Sequence, residues 1–120
     1  METADEKEAR VAVVILDASG NEKASISHPQ TAPMAPEIAR AKAFTSLNFG
    51  LATAEAAEKI SPEIQNRLSI ANRRLIFLGG GVPVSSENGV EGAIGVSGST
   101  PDEDSRIART ALAALDDEQN

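Results

Sequence analysis

A chain of 120 residues suffices for one domain and is too short for two with separate cores. Apolar residues at 41% and charged residues at 24% place it in the globular class, and with three aromatics (Phe44, Phe49, Phe77) against twenty alanines the core must be built from Ala, Val, Ile and Leu. Eleven Lys and Arg against eighteen Asp and Glu leave a net charge of −7, which argues against nucleic acid or an anionic membrane surface, and the absence of cysteine removes disulfides and thiol chemistry.

Residues 1–10 read as an acidic N-terminal arm, and the domain proper as 11–116, with 117–120 an acidic tail. The β-branched run Val11–Leu16 predicts a strand buried on both faces. Asp17–Asn21 carries turn chemistry, so Lys23–Ser27 should return as the second strand of a hairpin. Two prolines make 28–33 a loop.

Pro36 and Glu37 suit the first turn of a helix. Its body from Ile38 to Leu51 is apolar around nearly its whole circumference, which predicts sheet on one side and another helix or subunit on the other. Short helices are expected over 54–60 and from Pro62. Leu75–Leu78 reads as a strand running into Gly79-Gly80-Gly81, with Val82–Val84 and Val90–Val96 paired across an Asn88-Gly89 turn. Thr100-Pro101-Asp102-Glu103 is a capping box before a single apolar stripe, Ile107, Ala108, Ala111, Leu112 and Leu115. These elements predict an α+β fold, an antiparallel sheet with packed helices. No apolar run approaches a membrane span and the acidic start is not a signal peptide, so the expected setting is cytoplasmic.

Four motifs in order resemble the GlcG/HbpS family of haem-binding or haem-degrading-like proteins, which includes the C-terminal domain of PduO. They are Val13–Gly20, the helix segment Glu37–Ala43, Gly79–Val84 with Gly92–Gly98, and Asp104 with Ile107-Ala108. The resemblance spans about residues 11–115. It implies a profilin-like, three-layer α/β/α fold, assembly into homo-oligomers, and haem as the best-known candidate ligand. Relatives carry a long helix before the first strand, and here the acidic arm leaves that helix shortened or missing. The loop after the second strand reads Ser27-His28-Pro29-Gln30, where relatives often show an Arg-Met-Asp-like segment.

The candidate site residues follow from their chemistry. His28 is the single imidazole, a haem donor alongside Met34 or else a solvated loop residue; alone it rules out a multi-His metal site. Lys42 falls among apolar residues on its helix, which suits an anchor for a small anionic ligand or an ion pair with Asp17 or Asp104. Gly79, Gly80 and Gly81 offer either an anion-binding nest of amides or a tight bend for close packing. Ser97 and Gly98 lie just before a capped helix N-terminus, where a ligand carboxylate is favoured, although Ser99 and Thr100 can cap the helix themselves. Ser97 lacks an evident base to act as a nucleophile, and Asp102–Asp104 is an ordinary response to the helix dipole, so no metal site is expected.

Three functions remain open on these residues. The favoured one is an oligomeric, cytoplasmic accessory protein that binds a small ligand or cofactor, haem included. A second is an enzyme acting on a small catabolic intermediate, with Lys42 as base or electrostatic stabiliser and the 79–81 amides as an oxyanion cradle. A third is a structural partner of another enzyme.

Overall fold

The computed structural model describes residues 10–119, with side chains described through Leu115. Most of the acidic arm expected at 1–10 therefore lies outside the described residues. The first hairpin forms as its sequence predicts: β1 (Ala12–Asp17) and β2 (Glu22–Ser27) pair antiparallel. Asp17 closes the turn by accepting the Ser19 and Asn21 amides on Oδ1, each at 2.9 Å. Three helices follow, α1 (Ala35–Phe49), α2 (Thr53–Lys59) and α3 (Pro62–Ala71), then β3 (Gly81–Ser86), β4 (Gly89–Ser97) and α4 (Pro101–Gln119).

The sheet has the order β2-β1-β4-β3 and is antiparallel throughout. Because strand side chains alternate, its two faces bury different sets. Ala12, Val14, Leu16 and Ala93 pack under Ala35, Ala39 and Ala43 of α1. Val13, Val82, Ile94 and Val96 pack with Ile107 and Ala108 of α4. Helices thus cover both faces, giving the α+β layers the sequence predicts.

Small residues set the spacing between α1 and the sheet. A Cβ at Gly95 would collide with the Ala39 carbonyl oxygen and would lie 2.7 Å from the Ala43 nitrogen. The alanine-rich face of α1 therefore sits almost directly on the β4 backbone. That contact explains how a chain poor in aromatics still closes its core.

Leu75–Leu78 does not form the expected strand. It lies outside the sheet, beside α1, where the Ile76 amide donates to Thr45 Oγ1 at 2.8 Å. Phe77 meets Phe49 edge to face, with ring centroids 5.6 Å apart. Its apolar composition answers the second apolar side of α1, so that side is covered by the chain's own segment. α4 also continues to Gln119, past the boundary expected at 116. Thr100 caps it, accepting the Glu103 amide at 3.2 Å, while Glu103 pairs with Arg106. No described helix is long and apolar enough to cross a membrane.

Candidate functional site

Lys42 is fixed by α1 where that helix passes the end of β4. Its Nζ donates to the Val96 carbonyl at 2.9 Å and to Asp104 Oδ2 at 3.1 Å, and its side chain is 1% exposed. Asp104 reaches it from the first turn of α4 and accepts the Ser99 amide on Oδ1 at 3.0 Å. Of the two partners open to Lys42 in the sequence, the fold thus brings Asp104. Asp17 is engaged in its own turn, where those amides hold its carboxyl below the usual range.

Burial opposes both charges. It pushes the Lys42 ammonium down from its ordinary range, against the pull of the Asp104 charge and hydrogen bond. It pushes the Asp104 carboxyl up, against Lys42 and the Ser99 amide.

The pair forms the floor of a cleft of about 310 Å³. Ala32, Met34 and Ile38 line one wall, Ile76 and Leu78 another, and Ser97, Gly98 and Ser99 a third. The walls are largely apolar, and Met34 and Leu78 are exposed at 62% and 41% around the opening. Ser97 is nearly buried, and its hydroxyl makes no hydrogen bond among the described residues. An ammonium has three donors, so Lys42 keeps one N–H beyond its two acceptors.

Lys42, Ser97 and Gly98 therefore share one cleft. Gly79, Gly80 and Gly81 do not line it, but pack directly behind it. A Cβ at Gly80, where φ is 134°, would lie 2.8 Å from both Cδ and Nζ of Lys42. The Gly81 amide donates to Thr53 Oγ1 at 2.8 Å, so it is already engaged. Close packing against Lys42 and Thr53 is what this bend provides, which takes the Gly81 amide out of any oxyanion cradle. His28 lies in the loop after β2, and its Nδ1 accepts the Gln30 amide at 3.1 Å. It is not among the residues lining the cleft. Met34, weighed in the sequence as a haem donor, does line it, and Ile76 and Leu78 reach it without having been singled out as a site, since apolar side chains in loops carry no chemical signature. No group of three or more His, Asp or Glu among the described residues is placed to hold a metal ion.

The model of the family described as haem degrading protein HbpS-like matches residues 1–113. The chain belongs to the HbpS-like family. It is 29% identical over 117 residues to the corrinoid adenosyltransferase PduO of Salmonella typhimurium, covering 96% of this chain and 35% of that protein. It thus spans about a third of the length of this curated relative. It is similar to a PduOC:heme complex, with a TM-score of 0.86 and 30% identity over 94% of this chain and 83% of that one. It is also similar to a double mutant of HbpS from Streptomyces reticuli, with a TM-score of 0.83 and 28% identity over 95% of this chain and 77% of that one.

These HbpS-like relatives make haem the cofactor to test against the site. The cleft of a single chain does not fit it. About 310 Å³ is at the lower end of small-molecule pockets, and a macrocycle of four pyrroles exceeds it. Met34 is the one lining residue with an axial donor, and it stands at the mouth. His28 lies outside this cleft, with its Nδ1 engaged by the Gln30 amide.

Proposed function

We propose that this HbpS-like chain is a homo-oligomeric accessory protein that binds a small organic ligand in the cleft above Lys42 and Asp104. One observation carries the reading: a buried ion pair forms the floor of an open, apolar-walled cleft, beside an unpaired Ser97 hydroxyl. Buried pairs are often replaceable by apolar residues of equal volume, so one that faces a cavity is better explained by recognition than by stability. The free Lys42 N–H and the Ser97 hydroxyl donate to a carbonyl, carboxylate or alcohol oxygen, while Ile38, Ile76 and Leu78 take a short apolar body. Asp104 neutralises the lysine, so the cleft accepts a small organic acid without being a strong anion trap. Turnover has less support, because no imidazole lines the cleft beside Ser97 to activate it.

Assembly with further copies draws support from β2, all six of whose residues are exposed, with Ile26 at 52%. A cytoplasmic setting agrees with the cysteine-free composition. Native mass spectrometry of freshly purified protein tests both ligand and assembly. The expected result is an oligomer carrying a small organic mass that is lost in Ile38→Trp, which fills the cleft, and reduced in Ser97→Ala. A ligand-free mass that no small carboxylic acid or carbonyl compound shifts would sink the reading.

The similarity to the PduOC:heme complex favours a second reading, in which haem is held between copies and outside the cleft. Haem titration tests it. A stoichiometric Soret band that survives Ile38→Trp but is lost in Met34→Ala or His28→Ala supports it, and the absence of such a band removes it.

A further inference from the structure

On the outer side of α1, away from the Lys42 cleft, lies a second depression of about 330 Å³ lined by Glu37, Arg40, Ala41, Phe44, Arg73 and Arg74. Three arginines line it in a chain whose net charge is −7. None of the three pairs with a carboxylate among the described residues, whereas Arg67 and Arg106 do. Arg74 is oriented by its neighbour, its guanidinium stacked 4.1 Å from the centroid of the Phe44 ring. Arg73 also lines an adjoining depression of about 440 Å³ with Asn66, Ser69 and Ile70, so the groove extends along α3.

Like charges gathered in one concavity repel each other, and the cost is offset when an anion occupies it. A planar guanidinium grips an oxyanion through two parallel N–H bonds, and Glu37 offsets only one of the three positive charges. We infer that the groove between α1 and residues 73–74 binds a small, multiply charged oxyanion, a phosphate- or polycarboxylate-bearing molecule, with Arg40 and Arg73 gripping the charged group. Asn66 and Ser69 are placed to meet an uncharged polar extension of the same molecule.

The test is amide NMR titration of the full chain with two probes, inorganic pyrophosphate and citrate. Saturable shifts centred on Arg40, Phe44, Arg73 and Arg74 are expected with at least one probe. Pyrophosphate alone would mark a phosphate site, citrate alone a polycarboxylate site, and both the shared oxyanion chemistry. The double variant R40Q/R73Q should weaken binding by about tenfold or more, the loss expected for two charge-assisted contacts. R67Q, which removes an arginine paired outside the groove, should bind as the unmodified chain does. Non-saturating shifts, equal binding by R40Q/R73Q with its fold intact, or shifts centred on Lys42 would each overturn the inference.

Discussion

Lys42 Nζ and Asp104 Oδ2 lie 3.1 Å apart, with side chains 1% and 2% exposed, and they join the middle of α1 to the first turn of α4. Two helices on opposite faces of the sheet are thereby tied around its end. Removing one partner leaves the other charge buried alone, which typically costs about 3–5 kcal/mol. Lys42→Met should therefore lose stability on that scale in denaturant unfolding. The double variant Lys42→Met, Asp104→Leu should recover most of the loss, because no uncompensated charge then remains.

The same pair has a pH signature. The native carboxyl of Asp104 titrates above the ordinary 3.8, so between 3.8 and its raised value the folded chain holds a proton that the unfolded chain releases. Its contribution to stability therefore grows as pH falls through that window. Unfolding free energies of the unmodified chain and Asp104→Asn, measured from neutral pH downward, should show the difference moving in favour of the unmodified chain. Asp17 acts in the opposite sense, since its lowered carboxyl loses its contribution as pH falls, and it cancels in this comparison.

Gly95 should be intolerant of a side chain. The position that a Cβ would take is occupied by the Ala39 carbonyl oxygen, and neither backbone can move without separating α1 from β4. Gly95→Ala should cost about 3 kcal/mol, the upper end for overpacking a core, or fail to fold. Thermal unfolding and soluble yield will read the effect.

Thr45 holds the 75–78 segment through the Ile76 amide while donating its own hydroxyl to the Ala41 carbonyl at 2.8 Å. Thr45→Val keeps the shape and leaves that amide without its acceptor. It should cost about 1–3 kcal/mol, and the Ile76 amide should exchange its hydrogen faster than in the unmodified chain.

Much of the fold is legible residue by residue. The β-branched run of β1, the turn chemistry at Asp17 and the Thr100 cap with Pro101 each express a local rule, and local rules survive folding. Leu75–Leu78 shows their limit. Four large apolar residues look alike whether they pair in a sheet or cover the side of a helix, and only the neighbour distinguishes them. Lys42 stands out in the sequence because a cation in an apolar helix needs an explanation. Its choice of Asp104, 62 residues on, depends on tertiary approach that spacing does not encode. The arginine groove is invisible in the sequence for the same reason, since Arg40 and Arg73, 33 residues apart, line one depression only once the chain has folded.

Backbone contact at Gly95 seats α1 directly on the sheet, and the Lys42–Asp104 pair holds the start of α4 to α1. The wall of the Lys42 cleft that carries Ile76 and Leu78 belongs to none of α1, the sheet or α4, and is tethered to α1 through Thr45. A ligand held in the cleft as proposed would then leave most readily by displacing this one short segment, and its residence time would depend on Thr45, a residue that does not line the cleft.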